Sequence, residues 1–369
     1  RHNLRYFFGL HTQDVMPNIT VIPTPSSLPY ARQHLPRSVL RTWLPLVAHT
    51  NARILAATIR AALRRFNVRA PILWLYEPRD IGLAGHFGEK LVCYYNYDEY
   101  PEFVQNTRIK DMLRAYDNAM TRRADVVFAT SRGQTGRRQQ INPNTHFIPN
   151  GVDFTLFNHA LDPATATPED VRGLKKPIIG FAGWLGYQVD VALLLRVAQR
   201  CADCTLLLVG PDCLPESEYK RQLHALSNVV FTGMKSIEEL PAYLKLFDVA
   251  LIPYVIGGHT LTVYPLKLHE YLAAGRAVVA TALPELRAFS SVIRVAETYD
   301  DYLAQVQQAM HDNGPEAVAA RLAVARQNTW DQRVADIEAA LDRTLAAKGE
   351  QVEHGGNQVH RLDALRPAP

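Results

Sequence analysis

Residues 249–281 constrain this chain more than any other stretch. Val249-Ala-Leu-Ile-Pro253 is an apolar run of strand length, and Ala277-Val-Val-Ala280 is another. Between them Leu266, Leu268, Leu272 and Ala273 recur at roughly helical spacing. Pro265 suits a first helical position and Gly275 the residue just past the end. The order strand, loop, helix, glycine, strand is that of a parallel α/β sheet. There the loop after a strand lies at the ligand edge and the next helix points its N-terminus at it, offering free N–H groups and partial positive charge to an anion. Lys267 and Glu270 fall near that end. Glu270 opposes a phosphate electrostatically, so it is better suited to accept hydrogen bonds from sugar hydroxyls. On periodicity alone, an ordinary crossover helix with a surface glutamate fits equally well.

The same alternation runs through the rest of the chain. In the front half, strands are expected at 18–22, 72–76, 91–95, 125–130 and 146–149, with a proline-rich loop at 23–30. Helices are expected at 37–66, broken at Pro45, at 80–87 and at 108–123. Asn150-Gly151 marks a turn that closes this half. In the back half, strands are expected at 177–182, 205–209, 229–232, 249–253, 277–280 and 292–295. Helices are expected at 189–201, 216–226, 236–247, 265–274, 284–289, 299–311 and 315–347. Ser236-Ile-Glu-Glu239 has the form of a capping box. The fold class is therefore α/β, with two Rossmann-like parallel-sheet domains. The expected division is an acceptor-side domain at 1–155 lacking its opening strand, a linker at 156–176, a donor domain at 177–314, bracing helices at 315–348 and a disordered tail at 349–369.

Charge is uneven. Residues 1–150 carry net +10 and residues 151–369 net −6, which gives the +4 of the whole chain. A basic front half favours an anionic partner such as a membrane surface or a phosphorylated acceptor. No basic stripe interleaved with aromatics points to nucleic acid. No apolar run reaches the roughly 20 residues of a membrane span, and no secretory signal opens the chain. Beginning on Arg1, it reads as a fragment or trimmed chain, so that lack proves little. The four cysteines include a lone Cys201-Ala-Asp-Cys204, read as structural. A dinucleotide-binding dehydrogenase is disfavoured, because Gly180-Phe-Ala-Gly183-Trp-Leu-Gly186 has the wrong glycine spacing for that fingerprint.

Four segments in order carry a resemblance: Phe147-Ile-Pro-Asn-Gly-Val-Asp-Phe-Thr-Leu-Phe157; Ile178-Ile-Gly-Phe-Ala-Gly-Trp184; Asn228-Val-Val-Phe-Thr-Gly233 with Glu239-Leu-Pro-Ala-Tyr-Leu244 and Asp248-Val-Ala-Leu-Ile-Pro253; and the stretch from Pro265 to Thr281. Together they resemble GT-B glycosyltransferases of glycosyl transferase family 4 (group 1), nearest the bacterial polysaccharide, teichuronic-acid-type subgroup. The likeness covers about residues 70–345. It implies two Rossmann-like domains facing a central cleft and sugar transfer from a nucleotide-sugar donor to a glycan or lipid-linked acceptor. It further implies a retaining, metal-independent reaction in the cytoplasm or at the inner face of the cell membrane, with no cofactor. A catalytically degenerate relative serving as a binding or partner subunit, and a GT-B-type nucleotide-sugar epimerase, are the alternatives.

By the resemblance, Glu270 holds the nucleotide ribose. The family's second glutamate falls eight positions earlier, where this chain has Thr262. The diphosphate is expected at the backbone of Tyr264, Leu266 and Lys267 and at the turn containing Gly183 and Trp184. The basic pair that many relatives carry after the first donor-domain strand is missing, so phosphate charge is expected to fall to the helix N-terminus, the glycine-rich turn, and Lys267 or Lys235. Gly233, Met234 and Lys235 stand where the family reads the base, and Leu240 is a packing or base-edge contact. In the front domain Asn96 and Asp98 replace a histidine that touches the transferred sugar, although Asp98 is equally suited to capping the next turn. His86 and His269 are read as surface or packed histidines.

Overall fold

The structure, a computed structural model, describes residues 13–16, 19–22, 37–104 and 106–349. The proline-rich loop at 23–30 and, Gly349 apart, the expected tail lie outside them. Two compact units are present. The first comprises Arg1–Phe128, Gly136–His146 and Ala339–Pro369, and the second Ala129–Thr135 and Phe147–Glu338.

In the first unit β1 (Gln13–Met16) and β2 (Ile19–Val21) pair antiparallel with each other and stand apart from the main sheet. The strand expected at 18–22 is therefore not part of the parallel half. Helix α1 (Arg37–Arg65) runs unbroken through Pro45. Proline removes one backbone hydrogen bond, and here the bonds on either side carry the helix across it. Strands β3 (Ile72–Leu75) and β4 (Leu91–Asn96) are parallel, with Ile72 opposite Leu91. The helix expected at 80–87 is instead a 3-10 turn, Pro78–Leu83. Helix α2 (Thr107–Arg123) starts at Asn106, whose side-chain oxygen accepts the Arg108 and Ile109 N–H groups at 3.1 and 3.2 Å. Then come β5 (Val126–Ala129), α3 (Arg132–Gln139) and β6 (Thr145–Phe147), giving the sheet order β3-β4-β5-β6. Helix α3 has no apolar periodicity and two internal glycines, so the sequence does not announce it.

The second unit opens with α4 (Phe154–Asn158) and continues β7 (Ile178–Ala182), α5 (Val191–Arg200), β8 (Thr205–Val209), α6 (Glu218–Ala225), β9 (Val229–Gly233), α7 (Leu240–Leu244), β10 (Val249–Ile252), α8 (Lys267–Ala273), β11 (Ala277–Thr281) and β12 (Arg294–Ala296). Helices α9 (Tyr299–Ala309) and α10 (Pro315–Arg326) follow, and α11 (Trp330–Ala347) begins in this unit and ends in the first. Residues 156–176 pack onto this unit, with Phe157, Ala160 and Val171 in its core. Helix α7 begins four residues later than expected. The Ser236 N–H does donate to the Glu239 carboxylate at 2.7 Å, but a turn intervenes before the helix.

Strand order is β12-β11-β10-β7-β8-β9, and every pairing is parallel. Strands β7, β8, β10 and β11 are buried at every position, as expected of strands covered on both faces. From β7 the chain winds outward through β8 to β9, then returns to place β10 on the other side of β7. The winding thus reverses between β7 and β10. In open α/β sheets the crevice beyond the carboxyl ends of the strands at such a point is the place for a ligand.

Candidate functional site

At that switch point the sheet edge is shaped by glycines. Gly183 follows β7 with φ 131°, and Gly210 follows β8 with φ 137°. A β-carbon on Gly210 would lie 1.9 Å from the Gly183 carbonyl oxygen, so no other residue fits there. The Gly183 N–H donates to the Val209 carbonyl at 2.8 Å, and the Gly210 N–H donates to the Gly233 carbonyl at 2.9 Å. The Gly183 amide is therefore spent on the sheet and is not open to a phosphate. What the turn offers is a gap free of side chain.

Lys267 fills the wall of that gap. Its Nζ would lie 3.2 Å from a β-carbon on Gly183, donates a 2.6 Å hydrogen bond to the Tyr254 hydroxyl, and stands 5.0 and 5.1 Å from the Phe181 and Tyr254 ring centroids. Lys267 is 9% exposed. Among the described residues no carboxylate lies within 4.0 Å of its ammonium. Each partner is positioned by the fold: Phe181 is the last residue but one of β7, Tyr254 follows β10, and Lys267 begins α8. The helix is anchored from below. Tyr271, fully buried, accepts the Ala182 N–H at 2.8 Å.

One turn on, Glu270 is half-buried and its carboxylate takes no hydrogen bond from the described residues. Burial pushes its carboxyl above the usual range, and Lys267 partly offsets that. Helix α8 is shorter than the expected 265–274, and Pro265 and Leu266 form the turn ahead of it. The Leu268 and His269 N–H groups bond back to the Pro265 and Leu266 carbonyls at 3.2 Å. Seven residues supply little helix dipole, which leaves Lys267 as the main positive charge at this edge. His269 is fully buried and shares a 2.7 Å hydrogen bond with the Tyr264 hydroxyl. Burial holds its pKa down at about 3, so it is a packed, neutral histidine. The Tyr264 carbonyl accepts the Asn150 side-chain amide at 2.8 Å.

Other expected residues are placed differently. The Lys235 ammonium lies 2.7 Å from Asp170 and 5.1 Å from the Tyr243 ring, so its charge is already committed. Met234 is 81% exposed beside Gly233, whose φ is 72°. Leu240 packs against the core, and Leu266 is exposed. Thr262 donates its hydroxyl to the His259 carbonyl at 3.0 Å within the 3-10 turn Gly258–Thr262. The indole of Trp184 lies edge-on to Tyr187 at 5.3 Å, and Tyr187 to His259 at 5.0 Å, an aromatic row at the rim. Sequence reading singled out neither Tyr254 nor Phe181. Both are apolar-run residues whose role appears only when the strands are side by side.

The first unit has its own candidates at the carboxyl end of β4. Asn96 is 1% exposed, and its amide donates to the Tyr94 hydroxyl at 3.0 Å and to the Asp98 carbonyl at 2.9 Å. Its amide N–H groups are spent on building the loop, while its buried Oδ1 has no hydrogen-bond partner among the described residues. A buried network supports it. The Tyr94 hydroxyl donates to Asp117 at 2.6 Å, Arg138 of α3 clasps both Asp117 oxygens at 2.9 and 2.8 Å, and Glu99 pairs with Arg137. The Asp98 side chain caps no turn, and its carboxylate takes no hydrogen bond from the described residues. Burial, and then the neighbouring Glu99, raise its pKa to about 6.

Residues 176–322 match the family described as Glycosyl transferases group 1. A Bacillus subtilis (strain 168) protein named as a teichuronic acid biosynthesis glycosyltransferase, TuaH, is 30% identical over 195 residues, covering 50% of this chain and 48% of that protein. The chain spans about half the length of the curated relatives it matches. Among solved structures, sucrose-phosphate synthase from Thermosynechococcus elongatus superimposes with a TM-score of 0.63 at 17% identity, over 91% of this chain and 86% of that one. HepE from Anabaena, in complex with UDP, superimposes with a TM-score of 0.58 at 18% identity, over 79% and 82%. The fold is GT-B.

Proposed function

We propose that this chain is a nucleotide-sugar-dependent glycosyltransferase that passes a sugar to a glycan or lipid-linked acceptor, with retention and without a metal ion. The observation that carries the reading is Lys267. A buried ammonium held by one hydroxyl and two rings, with no carboxylate within 4.0 Å among the described residues and only Glu270 one turn away to offset it, is costly for the folded protein alone and well placed for a ligand that brings negative charge. A departing nucleoside diphosphate brings that charge as the sugar bond breaks, and a preorganised cation in a dry site stabilises it most. In this reading the gap at Gly183 admits the diphosphate, Lys267 neutralises it, and Glu270 accepts hydrogen bonds from the ribose. Phosphate charge assigned to lysine leaves no task for a divalent ion. The UDP bound in HepE is consistent with such a donor.

The test is thermal shift and calorimetric titration with UDP, GDP, ADP and their sugar conjugates, run in EDTA. A ligand that binds only the folded form raises its melting temperature. One base series is expected to bind. Lys267→Met is expected to weaken the diphosphate about ten- to a hundredfold, the loss of a charged hydrogen bond, while raising the melting temperature of the free protein. Glu270→Ala is expected to weaken diphosphate and nucleoside alike. Absence of binding across the panel, or unchanged affinity in both variants, overturns the reading.

A further inference from the structure

Where α1 ends and the chain turns into β3, the first unit carries a basic cavity of about 360 Å³ lined by Arg60, Arg64, Arg69, His86 and their neighbours. It lies at the edge where β3 and β4 begin, whereas Asp98 lies past the end of β4, so the two are at opposite edges of one sheet. The three arginines are exposed, and among the described residues none has a carboxylate within 4.0 Å. Nearby acids are already engaged. Glu89 accepts the Gly85 and Phe87 N–H groups, and Asp125 accepts the Lys348 ammonium at 3.1 Å and the Val92 N–H at 2.7 Å. Val68 lines the cavity and Phe66, whose ring centroid is 5.9 Å from the Arg65 guanidinium carbon, lies in the same connecting loop; they are 45% and 44% exposed. The connecting loop also contains Asn67 and Ala70 at φ 51° and 44°. Such φ values are strained for a residue with a β-carbon, and here they hold a short loop in one shape.

Unpaired arginines suit phosphate oxygens, which they can bind with two parallel hydrogen bonds. The exposed Phe66 and Val68 decide between sources. A soluble phosphate gains nothing from them, whereas a bilayer offers phosphodiester headgroups at the depth of the guanidinium groups and an apolar layer just beyond for the phenyl ring and valine. From this juxtaposition we infer that the α1–β3 corner is a docking site for an anionic phospholipid surface, with headgroup phosphates in the arginine cavity and Phe66 and Val68 entering the interface. The inference stands on the first unit alone and does not depend on the donor reading.

The test is vesicle flotation of the full chain with phosphatidylcholine alone and with phosphatidylcholine containing 30% phosphatidylglycerol, a composition of about one anionic lipid in three that gives a strongly negative surface. The protein is expected to float with the anionic vesicles only and to be released as salt rises. Arg60→Gln, Arg64→Gln and Arg69→Gln combined are expected to weaken binding on the order of a hundredfold. Phe66→Ser is expected to weaken it severalfold while leaving the salt dependence intact. Both variants are expected to keep the melting temperature of the parent, since all four side chains are exposed. Failure of the parent to float, flotation of the triple variant like the parent, or full release by inorganic phosphate at matched ionic strength overturns the inference.

Discussion

Among single side chains Asp98 is, with Asp80, a carboxylate whose charge changes near pH 6. Its pKa in the folded protein is about 6, against 3.8 for an unperturbed aspartate. Between those values the folded protein holds a proton that the unfolded chain has released, so this group makes stability fall as pH rises through that window. Asp98→Asn is therefore expected to be more stable than the parent above pH 6, with the difference vanishing below about pH 4; denaturant titrations at several pH values measure it. If the ionised carboxylate also touches a sugar hydroxyl, kcat/KM of the parent falls as pH drops through 6, and that limb disappears in the variant. The place of Glu270 and Lys267 on a helix between two buried strands was legible in the sequence, but spacing alone fitted an ordinary crossover helix equally well, and their expected roles came from the family resemblance. The burial of Asn96 was not legible, because a strand-end asparagine looks the same whether it faces ligand or Tyr94. Lys235 was similarly ambiguous until the fold brought Asp170 to it.

At the scale of elements, the donor edge depends on how α8 is fixed to β7. The Tyr271 hydroxyl takes up the Ala182 N–H beneath the glycine turn. Tyr271→Phe leaves that buried donor unsatisfied, at a cost of about 1–3 kcal/mol. Urea denaturation is expected to show a loss in that range, with nucleotide affinity also reduced because Lys267 rides on the same helix; an unchanged midpoint would count against the anchor. Strands and long helices were readable from apolar runs and periodicity. Helix α3 was not: its sequence, Arg132-Gly-Gln-Thr-Gly-Arg-Arg-Gln139, presents polar groups to a polar interior, with Arg138 buried against Asp117. Periodicity detects apolar faces and misses a helix held by ion pairs. The 3-10 turn at Pro78–Leu83 and the continuous α1 were misjudged for a related reason. Local propensity at a proline is a weak prior that packing overrides.

Across the whole molecule, apolar burial is unevenly shared. The second unit holds one large continuous core, whereas the core cluster around Leu75, Val92 and Met120 in the first unit is much smaller. Among the described residues β3 is an edge strand whose only fully buried side chain is Leu75, while β10 is buried throughout. Regions with few buried contacts open at lower free energy. Hydrogen exchange read by mass spectrometry is thus expected to be orders of magnitude faster in β3 than in β10, and equal protection of the two would contradict this distribution. Among the described residues no helix is long and apolar enough to cross a membrane. The amino-acid sequence by itself determined the alternation of strands and helices, the parallel class that follows from their order, and the position of Glu270 and Lys267 on the helix after β10, because these depend on local pattern and on neighbours in the chain. Tertiary structure alone decided which charges stay unpaired. Asp170 reaches Lys235 across 65 positions, whereas Lys267 meets Tyr254, Phe181 and the space left by Gly183 and has no carboxylate within 4.0 Å among the described residues. Electrostatic pairing depends on distance in space, and local sequence pattern does not encode that.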